Sequence, residues 1–370
     1  MSEEFPNSAS NQKPLPVTVI VPVRDGADLL DRCLEGIARS GRPPLECIVV
    51  DDASTDASVS VAEKHGAKVL RMDRSRGPAY ARNRAAQIAQ GELLMFVDAD
   101  VVVHDDTLSR AVDCFEQDPG LTAVIGSYDD LPGDPSFCSQ YKNMFHHWVH
   151  QSSGEEGFTF WSGCGMVRRD PFLALGGFNE GYPRPSIEDI EFGFRLRLAG
   201  HRIRLEKQML ATHLKHWTFF NLVMTDVFRR GVPWIALMLR DRFAARDLNL
   251  SSESQYGTVL TYAMATCLIA APLVGGALAP ALLGAAAACL LLMVWMHRRF
   301  YRFFLEKKGL AFIFGVLPMH LLFFLYSGLC IPLGMLAFLL DRRRARSTAR
   351  GPAVRSLEPL KVDSANKVGP

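Results

Sequence analysis

The sequence lacks closely spaced cysteines. It has eight, and none stands in C-x-x-C spacing, which argues against a zinc ribbon or a dithiol redox motif. Cys47, Cys267, Cys289 and Cys330 lie inside apolar runs, where a free thiol behaves as a small hydrophobe. The chain also lacks a dominant charge. Its 41 Lys and Arg against 39 Asp and Glu leave a formal net charge of +2, so overall electrostatics give no case for a nucleic-acid partner. The N-terminal MSEEFPNSASNQKPLP has no charged-then-apolar pattern of an export signal. The first domain is therefore expected to stay in the cytoplasm, in a reducing compartment. Most informative is the stretch from Tyr256 to Trp295, which contains no Asp, Glu, Lys, Arg or His. That excludes a wholly soluble chain.

What is present divides by composition. Residues 1–15 read as a disordered leader and 16–216 as a soluble domain holding nearly all the acids. Residues 217–255 interleave Trp, Phe and Leu with Arg229, Arg230, Arg240 and Arg242. Such a pattern suits helices in a membrane interface or an amphipathic helix packed on the domain. Residues 256–340 should hold two to four membrane segments, and 341–370 a basic disordered tail. Within them, 258–296 is long enough for two short spans, and Leu310–Leu340 for one more, interrupted by Pro318 and Pro332. Arg298–Lys308 reads as a basic loop, and Arg342–Arg350 is basic too. The positive-inside rule then requires the stretch between them to cross twice or re-enter, or else leaves one basic segment outside.

In the soluble part, apolar strands at Val17–Val21, Cys47–Val50, Val69–Arg71 and Leu93–Val97 alternate with helices. The first helix has Asp28 as its expected cap, the third has Pro78 in its first turn, and a fourth spans Ile187–Leu198. This alternation predicts parallel βαβ units with ligands at the strand C-terminal ends. Acids gather at those ends. Asp98-Ala-Asp100 follows an apolar strand and offers hard oxygen ligands for Mg or Mn, or is a solvated loop. Asp51-Asp52 leads into a hydroxyl cluster that could instead cap a helix. Arg76-Gly77-Pro78 sets cations at a helix start, where an anion is welcome. Glu188-Asp189 opens another helix, so dipole capping competes with a general-base role. His213, Lys215 and His216 follow. Either histidine could complete a metal site, and Lys215 could meet a phosphate.

Taken in order, VTVIVPVRDGADLLDRCLEGI, IVVDDASTD, RGPAYARNRAA, GELLMFVDAD, WSGCGMVRRDPFLALGGFNEGY and SIEDIEFGFRLRLAGHRI resemble family 2 glycosyltransferases of the GT-A fold over residues 17–217. The resemblance implies a Rossmann-like nucleotide-sugar domain followed by interfacial helices and a helical transmembrane region. It implies that Pro22, Val23 and Arg24 line the nucleotide pocket, with Asp52, Asp51 and Arg82 near the base. Asp98 would approach ribose or metal, and Asp100 would ligate the metal. Gly163 would border the donor sugar, and Asp189 would be the general base beside Glu188. In some relatives a histidine near the position of His213 and His216 is a further metal ligand. The implied activity is inverting transfer from a nucleotide sugar, expected to be a UDP-sugar, to a lipid or lipid-linked saccharide at the inner membrane. His213-Leu-Lys-His-Trp217 replaces the Gln-x-x-Arg-Trp of processive synthases, which favours one sugar per acceptor over a processive polysaccharide synthase. A catalytically inactive nucleotide-sugar-binding membrane protein is the other alternative, and the intact Asp98, Asp100 and Asp189 count against it.

Overall fold

The computed structural model describes residues 14–241 and 252–348, with side chains described through Arg342. The expected leader and most of the expected tail lie outside these residues. The catalytic half alternates strands and helices as the periodicity requires: β1 (Leu15–Val23), α1 (Ala27–Ala38), β2 (Pro44–Asp51), α2 (Ser58–Lys64), β3 (Lys68–Arg71), α3 (Pro78–Ile88), β4 (Leu93–Val97), β5 (Val101–Val103), α4 (Thr107–Gln117), β6 (Leu121–Tyr128), α5 (Phe137–Ser152), β7 (Glu156–Gly157), β8 (Cys164–Arg168), α6 (Arg169–Ala174), α7 (Glu188–Leu198) and β9 (Arg202–His213). The sheet order is β3-β2-β1-β4-β8-β6-β9-β5, with β7 on β9. The first four strands pair in parallel, while β8 runs antiparallel between β4 and β6.

The registers decide where the chemistry gathers. Val23 lies opposite Asp51, and Ile20 opposite Phe96, so β1, β2 and β4 end at one edge. The strands are buried on both faces, as a covered parallel sheet demands. Helix α1 buries Leu30, Cys33, Leu34 and Ile37 but begins one residue before Asp28, which lies inside the first turn instead of capping it. On the other face Phe96, Phe160, Phe172, Phe178 and Phe192 form one aromatic knot, with Phe96–Phe178, Phe172–Phe192 and Phe160–Phe192 centroids 5.0, 5.0 and 5.5 Å apart. The knot locks the end of β4 against α7, elements ninety residues apart in sequence, so the loops that leave them face each other.

After β9, α8 (Phe219–Met224) is capped by Thr218 and Asn221, which bond each other's backbone N–H. A π-helical turn (Thr225–Gly231) runs into α9 (Val232–Asp241). Then come α10 (Ser252–Val274), α11 (Leu278–Met296), α12 (Arg298–Lys308) and α13 (Leu310–Thr348). Helices α10, α11 and residues 310–342 of α13 are long and apolar enough to cross a membrane. Two sequence expectations are corrected here. Arg298–Lys308 is a helix and not a loop, because Phe300, Tyr301 and Phe304 fall on one face and pack against Tyr141 and Phe145 of α5. Helix α13 is continuous through Pro318 and Pro332, since neighbouring helices support a proline inside an apolar helix. Small residues allow close approach: a Cβ on Gly257 or Gly328 would clash with Phe324 or Tyr262 across α10 and α13.

Candidate active site

Two cavities meet at the ends of β1, β4 and β9. The first, about 390 Å³, is lined by Pro22, Val23, Arg24, Asp52, Gly77, Arg82, Asp98, Asp100, Arg184 and Lys215. The second is a chamber of about 190 Å³ lined by Arg82, Asp98, Asp100, Tyr128, His146, Trp161, Ser162, Glu188, Asp189, His213, Lys215 and Trp217. The acids after β4 and those opening α7 therefore face one space. Arg82 joins them. Its guanidinium donates to Asp98 Oδ1 at 2.5 Å and to Glu188 Oε1 at 3.3 Å. Burial opposes the charge on Arg82, yet Asp98 and Glu188 outweigh it and raise the Arg82 pKa. Burial, then the charge of neighbouring Asp189, pushes the Glu188 carboxyl up.

Asp189 is held for reaction. Its Oδ2 accepts from Ser162 N at 3.0 Å and Ser162 Oγ at 3.1 Å, and its Oδ1 from Ile190 N at 2.8 Å. These donors favour the carboxylate and fix its plane. Gly163, predicted to border the donor sugar, lies just behind Trp161 and Ser162. Its carbonyl accepts from Asp98 N at 3.3 Å, so it couples the two acidic segments through the backbone.

The metal expectation divides between the two histidines. His213 Nδ1 faces Asn143 Oδ1 at 2.6 Å. With its proton there, neutral His213 turns the Nε2 lone pair toward Asp100 Oδ2 at 3.5 Å. Two electron-rich atoms facing each other suit a cation between them, and a carboxylate with an imidazole fits Mg or Mn. Tyr128 stacks on His213 with centroids 4.4 Å apart and fixes the ring. Burial opposes charge on Asp100, but His213 and Lys215 outweigh it and hold its pKa at about 2. His216 points elsewhere: it is exposed and meets Asp134 Oδ2 at 3.0 Å. Among the described residues, no three His, Cys, Asp or Glu side chains are preassembled for a metal. A metal here would draw remaining ligands from substrate, as Mg commonly does from phosphates.

Two more expectations change. Asp52 reaches the first cavity, but its oxygens accept from Ser75 Oγ at 2.7 Å, Arg76 N at 2.8 Å and Gly77 N at 3.0 Å. The anion welcomed at the start of α3 is thus Asp52 itself. Gly77, at φ 87°, is required there because a Cβ would press on the Pro183 carbonyl. Asp51 lies outside both cavities and accepts from Ser54 N at 2.9 Å. Sequence reasoning missed Asn143 and Tyr128, which orient His213, and Trp161 and Lys142, which line the chamber. The aromatic-histidine run Tyr141–His150 was the available signal, because so many polar aromatics on one helix are unusual for a purely structural face.

Comparison with known proteins places this geometry. Residues 18–176 match the family described as Glycosyl transferase family 2. The chain is 33% identical over 102 residues to the poly(ribitol-phosphate) beta-glucosyltransferase of Bacillus spizizenii, over 25% of this chain and 16% of that protein. It is 24% identical over 240 residues to glycosyltransferase AglE of Haloferax volcanii, covering 62% of this chain and 76% of that one. Among solved structures, the mannosyltransferase PcManGT from Pyrobaculum calidifontis, in complex with GDP-Man and Mn2+, superposes with a TM-score of 0.55 at 21% identity, over 90% of this chain and 91% of the other. At that identity the likeness speaks for the fold.

Proposed function

The chain is a glycosyltransferase that carries a family 2 domain of the GT-A fold, and from that premise we propose inverting transfer of one sugar from a nucleotide diphosphate donor, a UDP-sugar, to a lipid or lipid-linked saccharide. The carrying observation is that Asp98, Asp100, Glu188 and Asp189 line one chamber with Arg82 between them. The donor nucleotide would occupy the cavity over Pro22, Val23 and Arg24, with its diphosphate at Asp98, Asp100 and Lys215. Asp100 and His213, with Asp98 beside them, would hold a divalent metal. When bound, such a metal supplies positive charge to the leaving diphosphate.

The chain's own groups do the rest. Asp189 accepts the proton of the acceptor hydroxyl as that oxygen bonds to the anomeric carbon from the face opposite the diphosphate. The bond from that carbon to the diphosphate oxygen breaks, and its electron pair leaves with the nucleoside diphosphate. Arg82 holds Asp98 and Glu188 in place, and burial keeps water from competing with the acceptor. An acceptor in or on a membrane is supported by the three long apolar helices and by the core they share with α5. A catalytic domain on the cytoplasmic face of the inner membrane accords with a nucleotide-sugar donor made in the cytoplasm.

Labelled UDP-, GDP- and dTDP-sugars incubated with membranes containing the protein, followed by lipid extraction, test this reading. One labelled sugar is expected per acceptor. Asp189→Asn should cut transfer by about 100-fold or more while nucleotide binding is retained. Near-normal turnover of that variant would remove Asp189 from the reaction.

A further inference from the structure

The side of the chamber away from the donor is built differently. Lys142, Phe145, Arg230 and Trp234 line both the chamber and a mostly apolar slot of about 140 Å³ between α9 and α13. Ile235, Phe323 and Cys330 wall the slot. Asp98, Asp100, Glu188 and Asp189 line the chamber and not the slot. Cations therefore stand at the neck, and the reacting carboxylates lie beyond it.

The neck has donors that lack acceptors. Asp226, buried in the π-helical turn, accepts from Lys142 Nζ at 2.6 Å with each oxygen and from Tyr326 Oη of α13 at 2.7 Å. That pairing neutralises Lys142 and ties the neck to α13. Arg230 is left 3.9 Å from Asp226 and 44% exposed. Trp217 and Trp234 also line the chamber, and each has a buried indole N–H with no acceptor among the described residues. An indole N–H only donates, and leaving one unmet costs about 1–3 kcal/mol. An oxygen-rich anion satisfies a guanidinium and two indole donors together. The adjoining slot suits a hydrocarbon chain attached to that anion.

We propose that the acceptor is a lipid with one hydrocarbon chain and a phosphate or diphosphate ester. Its phosphate binds at Arg230 and the two indole groups, its chain lies in the slot, and its reacting hydroxyl reaches Asp189. The phosphate is an anchor and stays unchanged, because the cations that hold it are at the neck and the reacting groups are deeper. The inference rests on the transfer reading above and names the acceptor class for the same site.

The test uses the full-length protein in dodecyl maltoside, with binding of farnesyl monophosphate, farnesol and inorganic phosphate followed by tryptophan fluorescence. Binding of UDP, GDP and dTDP is measured in parallel. Farnesyl monophosphate is expected to bind at least about tenfold more tightly than farnesol or inorganic phosphate. Arg230→Gln should weaken it by roughly tenfold, Arg230→Lys should recover part of the loss, and both should keep nucleotide binding. Ser327→Phe, which fills the slot, should weaken farnesyl monophosphate and leave inorganic phosphate unaffected. Equal binding of farnesol, equal binding of inorganic phosphate, or indifference to Arg230→Gln would each overturn the proposal. Failure of every nucleotide to bind the wild-type protein, with lipid binding intact, would instead sink the transfer reading.

Discussion

Among individual residues, burial decides which titratable groups stay neutral. His150 donates from Nδ1 to the Gly126 carbonyl at 2.9 Å and packs edge-on against Trp161. Burial pushes its pKa down to about 4 from an ordinary 6.5, although the Gly126 bond opposes the shift. Between those values the unfolded chain binds a proton that the folded chain refuses. The His150 contribution to stability is therefore complete above about pH 6.5 and is lost as the pH falls toward 4, a difference of about 3 kcal/mol. Thermal melts from pH 7 to 4 should show this slope, and His150→Gln, which can still donate to Gly126, should remove the His150 share. The sequence marked His150 only as one member of an aromatic-histidine run. Its neutrality depends on neighbours from β6 and the Trp161 loop that no local pattern reveals.

For the elements, the site depends on how closely α7 approaches the Thr159–Phe160 backbone. Gly193 faces that backbone, and a Cβ there would collide with the Phe160 amide nitrogen and the Thr159 carbonyl carbon. Gly193→Ala must push α7 outward, since backbone atoms have no rotamer to yield. Overpacking of this kind costs roughly 1–3 kcal/mol. Because α7 carries Asp189 and Glu188, the variant should also lose turnover beyond its loss of stability. A folded variant with full activity, by circular dichroism and sugar transfer, would show that the spacing is not critical. Helix α7 itself was legible from its acidic start and Gly200 stop. Its docking partner was not, since β8 and β9 interleave with β6 in an order that sequence periodicity does not encode.

For the whole molecule, length and composition allow α10, α11 and α13 each to cross the bilayer. The contacts of α13 argue otherwise for that helix. Phe312 stacks near Phe137, His320 and Phe323 meet Phe145, Tyr326 reaches Asp226, Cys330 lies by Gly231, and Gly334 abuts Ile235. From Phe312 to Gly334 is about 33 Å of helix, comparable to the ~30 Å hydrocarbon core. A helix crossing upright touches a domain outside the bilayer only at one end. Helix α13 thus lies along the base of the domain, and α10–α11 form the crossing hairpin. Lys307 of α12 meets Asp130 at 2.5 Å, so the basic segment after the hairpin is on the domain side as well. A C-terminal reporter should then sit on the same side as the catalytic domain, measured by protease or thiol-label access in sealed vesicles. Labelling from the opposite side would show that α13 crosses.

The sequence by itself determined the strand–helix alternation, the acids at strand ends, the family resemblance and the apolar C-terminal part, because each is written in local periodicity or in the order of short motifs. Tertiary structure alone decided that Asp98 and Glu188 share Arg82, that His213 and not His216 faces Asp100, and that Asp52 holds the start of α3. It also decided that α13 follows the domain. These are contacts between segments far apart in the chain, and a side chain's partner there is set by sheet order and helix docking, which spacing along the sequence does not specify.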